Sequence, residues 1–224
     1  MKKLFLLSII SIAVIIGMIF VISTALPNES DYSDNLFYQI GRVQREALES
    51  NESNVAAVTA RDFTICERDV MAIAQEYYLV NGVDGREFAI QTLLRREILY
   101  SAALNNGFYA TNEEIRYLID LNIEMTQAAL APGASSNIEE YFLPFLRGIG
   151  MTPEEYWEAQ ADIFRKEIAI SNFQNSLLES FSFDEARAIA FSSYEEGLHN
   201  VWNEQWERIV EELIQSTEFT ITPN

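Results

Sequence analysis

The chain is almost without the residues that build redox and metal sites, because Cys66 and His199 each stand alone among its 224 residues. One cysteine excludes an internal disulfide and a Cys-based zinc site. One histidine excludes a His dyad and a multi-His metal site. Cys66 reads as a small half-buried residue, and His199, in Leu198-His199-Asn200-Val201-Trp202, as a packed or surface side chain rather than a general base. There is no Gly-rich phosphate loop, no G-x-S-x-G elbow, no calcium-loop spacing and no internal repeat. Carboxylates are plentiful, yet no pattern singles out an acid–base pair. No metal, no cofactor and no enzymatic activity are expected.

Positive charge is scarce too. Fifteen basic residues face 34 acidic ones, for a net charge of −19. Without Lys2 and Lys3 the balance is 13 − 34 = −21, and Lys166 is then the only lysine left. Phosphate binding needs Lys and Arg, so nucleic acid is not an expected partner.

What the chain does have is apolar residues, at 49%. Leu4 to Ile22 is apolar except for Ser8, Ser11 and Gly17. Roughly 20 residues at 1.5 Å each span about 30 Å, the thickness of the hydrocarbon layer. Lys2 and Lys3 lie on one side, with Glu29, Asp31 and Asp34 on the other. The positive-inside rule then places the N-terminus in the cytoplasm and the remainder outside. The sequence thus predicts a single-pass cell-membrane anchor over 1–26, an acidic juxtamembrane spacer over 27–53 and one domain over 54–224. A cleaved signal peptide, with Ser23-Thr24-Ala25 as the cleavage site and a secreted product, is the alternative.

Downstream, the pattern is mainly α. Asn35 to Leu48 reads as a weak helix within the spacer. Val55, Val58, Phe63 and Ile65 favour strand, with Thr59-Ala60-Arg61-Asp62 as a hairpin turn. Thr64 and Glu67 have the spacing of a capping box that opens a helix ending at Asn81-Gly82. Ile90, Leu93, Leu94, Ile98 and Ala102 give the next helix an apolar stripe, closed by Asn105-Asn106-Gly107. Thr111 and Glu114 form a second box and start a helix running through Met125 to Ala131. After the loop Pro132–Ser136, Ser136 and Glu139 repeat the capping spacing. An aromatic segment follows, interrupted by Pro144 and ended by Gly148 and Gly150. Thr152-Pro153-Glu154-Glu155 is the strongest helix start, with a cap, Pro at the first position and Glu at the third. One helix is expected from there through Phe164, Phe173 and Leu177. Ser182 with Glu185 starts a last helix carrying Trp202 and Trp206, and Glu218–Thr222 is a short strand. A two-stranded hairpin alone is marginal in water, so this strand is expected to pair with it.

Four stretches in order resemble the SurA/PrsA family of extracytoplasmic foldases. They are VAAVTARDFTICERDV from Val55, the helix-Asn-Gly-Thr-x-x-Glu hairpin from Arg86 to Asp120, the Thr-Pro-Glu-Glu-Tyr-Trp start at Thr152, and the final helix and strand from Trp202 to Ile221. The resemblance covers roughly residues 54–222. It implies a SurA N-terminal-like helical lobe with its hairpin paired to the C-terminal strand. It also implies a holdase or foldase module that binds unfolded, extended or secreted polypeptide. The turn departs from the family's usual Asn-Gly. The family's parvulin prolyl isomerase domain has no counterpart either, since only Phe181-Ser182-Phe183 separates the helices that would flank it.

The candidate client-binding residues are Tyr141, Phe142, Phe145, Met151 and Trp157 around a Pro/Gly-rich corner, with Met125 on the preceding helix. Met and aromatic surfaces suit promiscuous apolar binding. The same residues also fit an ordinary core. The sequence therefore leads to a membrane-anchored, extracytoplasmic, non-catalytic chaperone-like module, with a scaffold or partner subunit of a cell-envelope complex as the alternative.

Overall fold

The computed structural model describes residues 35–50, 55–131, 138–180 and 194–222. The apolar run Leu4–Ile22, the cleavage site, the Pro132–Ser136 loop with its cap and the Ser182/Glu185 helix start lie outside these residues. Among the described residues no helix is long and apolar enough to cross a membrane.

The fold is mainly helical with a small three-stranded antiparallel sheet. In chain order the elements are α1 (Leu36–Glu49), β1 (Ala56–Ala60), β2 (Thr64–Cys66), α2 (Glu67–Asn81), α3 (Arg86–Asn105), α4 (Asn112–Ala129), α5 (Ile138–Ile149), α6 (Pro153–Ala159), α7 (Ala161–Ser180), α8 (Tyr194–Ser216) and β3 (Phe219–Ile221).

The sheet has the order β2-β1-β3, so the last strand covers the free edge of the hairpin. Val58 pairs with Ile65 on one side and Ile221 on the other, and its side chain is fully buried. The turn differs from expectation. Thr59 and Ala60 belong to β1, the Ala60 N–H donates to the Phe63 carbonyl at 3.0 Å, and Arg61-Asp62 make the reversal. Thr64 also departs from its expected capping role. It lies in β2 opposite Thr59, and α2 begins only at Glu67, behind Cys66 with no side-chain cap. The physical reason is competition. The ladder takes the Thr64 backbone, and the Glu67 carboxylate is held by both terminal nitrogens of Arg86, with Oε2 at 3.0 Å from Nη2.

The α3–α4 hairpin forms as its local signals require. Asn106 and Gly107 close α3, with Gly107 at φ 82°, a conformation that costs glycine little. Thr111 opens α4 with a complete capping box: its N–H donates to Glu114 Oε2 at 2.8 Å, and the Glu114 N–H donates to Thr111 Oγ1 at 3.2 Å. Helix α3 is buried on more than one side and joins two cores. Ala89, Ile90, Leu93, Leu94 and Ile98 pack with the hairpin, Val70 and Phe219. Leu99, Ala102 and Ala103 pack with Phe173 of α7 and with Trp202, Trp206 and Val210 of α8. A third core joins Ile115 and Ile119 of α4 to Phe164 of α7.

Helix α1 lies against α5, and Phe37, Gly41 and Val43 face inward. Two further expectations are corrected. Pro144 does not interrupt the aromatic segment, because α5 runs through it and buries its ring, giving up one helical hydrogen bond. The helix opened by Thr152 is two helices. Gln160 ends α6 by donating to the Trp157 carbonyl at 3.2 Å and accepts from the Phe164 N–H at 2.9 Å to begin α7.

Candidate functional site

The aromatic residues of the α5–α6 corner come together because two local devices aim them. Gly150, at φ 80°, stops α5. Two residues later Thr152 restarts the chain with a capping box, its N–H donating to Glu155 Oε2 at 2.8 Å. Helix α6 is thereby turned back onto α5. Phe142 sits at the hub: its ring centroid is 5.5 Å from Tyr156, 5.7 Å from Trp157 and 6.2 Å from Phe145. Tyr156 meets Phe145 edge-on at 5.3 Å, and Trp157 stacks on Phe164 at 6.3 Å. Edge-to-face and offset pairs at these separations are attractive beyond their area burial. Trp157 is fixed further by its indole Nε1, which donates to Thr126 Oγ1 on α4 at 3.0 Å.

All four clustered rings, Phe142, Phe145, Tyr156 and Trp157, are half-buried, and α6 buries none of its residues fully. The other candidates are placed differently. Tyr141 turns to Phe37 on α1, at 5.5 Å. Met151 is half-buried in the α5–α6 turn, its N–H donating to the Leu146 carbonyl at 3.1 Å. Met125 is 59% exposed on α4, next to the Thr126 that holds Trp157. Tyr156 belongs to the same aromatic segment, Tyr141 to Trp157, in which the sequence places client binding. It carries a local signal as well: Met151 and Tyr156 flank the Thr152–Glu155 box at the positions of a hydrophobic staple.

The charge of one carboxylate on α2 acts on this cluster. Glu76 on α2 is half-buried and accepts from Gln44 Nε2 on α1 at 2.6 Å. Burial raises its pKa against the opposing effect of the Gln44 hydrogen bond. The Tyr156 hydroxyl is pushed up to about 12, first by burial and then by the negative charge of Glu76. Among the described residues no basic side chain forms an ion pair with Glu76.

A separate cleft of about 280 Å³ lies between the hairpin turn, α3 and α7. Lys166 Nζ there is 2.7 Å from Glu97 Oε1 and 5.7 Å from the centroid of the Tyr100 ring. Asp62, at the rim, is held below the usual carboxylate range by its bond from Arg61, with a lesser bond from Ser101. The ammonium is thus committed to a structural pair. Among the described residues no group of His, Cys, Asp and Glu side chains is arranged to hold a metal ion.

No family model, no curated protein and no solved structure matches this chain.

Proposed function

We propose that the protein is a membrane-anchored, extracytoplasmic chaperone-like module that holds unfolded or extended polypeptides without catalysis. The observation that carries this reading is the cluster of Phe142, Phe145, Tyr156 and Trp157, four rings packed on one another and only half-buried. The ordered resemblance to the SurA/PrsA family, from the hairpin at Val55 to the strand at Ile221, supports it. An apolar ring leaving water for a client contributes on the order of 1–3 kcal/mol. Several together, less the cost of association, give the weak and reversible binding a holdase needs.

The second reading is a dedicated subunit of an envelope complex. It draws on a different surface, the exposed Tyr78, Val80 and Val83 around the C-terminal end of α2.

The test uses the whole chain in detergent, with Phe145→Ser and Trp157→Ser, and measures both folding and suppression of aggregation of a denatured test protein. Suppression by the parent, lost in folded variants, supports the reading. Unfolding of both variants means the rings are core. Folded variants with unchanged suppression place clients elsewhere, with the α2 surface next to be probed.

A further inference from the structure

The two edges of the sheet differ. β2 pairs with β1 through a bulge between Ala56 and Val58 and leads at once into α2 at Glu67. Both features blunt an edge. β3 pairs with β1 in unbroken register, and among the described residues no strand lies on its other side. Phe219 to Ile221 include no Lys and no Pro, the residues that usually guard an edge.

One bond fixes the direction of the backbone groups of β3. The Thr222 N–H donates to the Ala57 carbonyl at 2.9 Å. These groups alternate along an antiparallel strand, so Thr220 and Thr222 point toward β1 while the N–H and C=O of Phe219 and Ile221 point outward. The outer edge thus presents two donors and two acceptors, on residues about 7 Å apart along the strand.

The side chains show what this edge lacks. On the core face the row across the sheet is Ile65, Val58 and Ile221. Their exposures are 3%, 0% and 47%, so the apolar row runs on past the last cover it is given. On the other face the row Thr64, Thr59 and Thr220 is exposed throughout, and the exposed Glu218 immediately precedes the strand. A fourth strand with apolar residues on the core face would cover Ile221 and satisfy the outward backbone groups. The net charge of −19 attracts a basic segment and repels a second copy of the chain.

We infer that the free edge of β3 docks an extended polypeptide as a fourth strand, one in which apolar residues alternate with basic or hydroxyl residues. Its apolar set lies beside Phe219 and Ile221, and its polar set runs past Thr220 to Glu218. This goes beyond the aromatic cluster, because recognition here is through the backbone and the two sites share no residue.

The test is amide hydrogen exchange read by NMR on the whole chain in detergent, with the peptide Lys-Val-Thr-Val-Thr-Val-Lys as probe. Saturating peptide should slow exchange at Phe219 and Ile221 about tenfold or more. The amides of Thr220 and Thr222, already directed at β1, should change far less. The same peptide with its internal amides N-methylated keeps its side chains but cannot pair, and should protect neither amide. Glutamate in place of both lysines should weaken binding. Absence of protection at Phe219 and Ile221, or equal protection by the N-methylated peptide, overturns the edge site. Equal binding of the glutamate peptide overturns the occupant assigned to it. Protection that rises with protein concentration without peptide puts a second copy on the edge and overturns it too. Suppression of aggregation with no protection here removes this site and leaves the aromatic one standing.

Discussion

Gly41 of α1 and Gly148 of α5 form the point where the two helices touch through their backbones. A methyl group built on Gly41 would overlap the Phe145 carbonyl oxygen and sit 2.8 Å from the Ile149 nitrogen. One built on Gly148 would overlap the Tyr38 carbonyl oxygen and sit 2.9 Å from the Arg42 nitrogen. The contact is reciprocal, each glycine clearing space for a turn of the other helix. It seats the turn that carries Phe145, and so the α5 half of the aromatic cluster, against α1.

Gly41→Ala and Gly148→Ala should therefore destabilise the fold. Alanine gains about 1 kcal/mol of helix propensity over glycine. The obstruction is backbone rather than a movable side chain, and overpacking costs typically ~1–3 kcal/mol. We expect a net loss of up to about 2 kcal/mol in each, read from urea midpoints. The double variant should lose less than the sum, because helices already pushed apart accommodate the second methyl. Equal or raised midpoints in the single variants would show that the helices part freely.

The three Thr-x-x-Glu spacings should separate in the same assay. Thr111→Ala and Thr152→Ala each remove a cap whose hydrogen bonds are in place, at a cost of about 1 kcal/mol. Thr64 is an exposed strand residue with no helix to cap, so Thr64→Ala should stay within about 0.5 kcal/mol, the range of surface changes. A Thr64→Ala loss equal to that at Thr111 would place the α2 start at Thr64 after all.

Truncation after Glu218 should destabilise the hairpin and the core beneath it. It removes the ladder from Phe219 to Ile221, the 2.9 Å bond from the Thr222 N–H to the Ala57 carbonyl, and the Phe219 ring packed against the Val58–Leu93 core. A half-buried phenyl ring and several strand hydrogen bonds together amount to at least ~1 kcal/mol. An unchanged melting temperature would mean that the strand contributes nothing to stability.

These cases show which parts of the fold were legible in the sequence. The α3–α4 hairpin and the Thr152 start were readable because their instructions are local: Gly107, Thr111 with Glu114 and Pro153 each act within a few residues. The pairing of β3 was readable from the need of a two-stranded hairpin for a third strand. The Thr64–Glu67 spacing misled because Glu67 is claimed by Arg86, nineteen residues on, and no local rule can see that partner. Gly41 was invisible for a different reason. Glycine lowers helix propensity and adds nothing to an apolar stripe, so the closest helix contact left the weakest trace. At the candidate site, Phe142, Phe145 and Trp157 stood out as aromatics near a corner. Glu76 did not, being one acidic residue among 34, and only its hydrogen bond from Gln44 on α1 sets it apart.

The raised pKa of Glu76 makes a last prediction, about stability and pH. Burial shifts the folded-state value above the ordinary 4.5, so the folded protein binds this proton more tightly than the unfolded chain. The stability so gained is fully present below the unfolded value and is lost as pH rises through the folded one. Above the unfolded value the unfolded chain ionises this group freely while the buried site resists it, and that difference counts against the fold. Glu76→Gln removes the charge and leaves an amide oxygen to accept from Gln44. The variant should therefore be more stable than the parent at pH 7, and the two urea midpoints should converge as pH falls toward 4. Glu167, raised by burial with Arg96 in partial opposition, acts in the same direction in both proteins and cancels in the comparison. Parallel midpoint curves from pH 7 to pH 4 would show that the carboxylate is as well solvated in the fold as outside it.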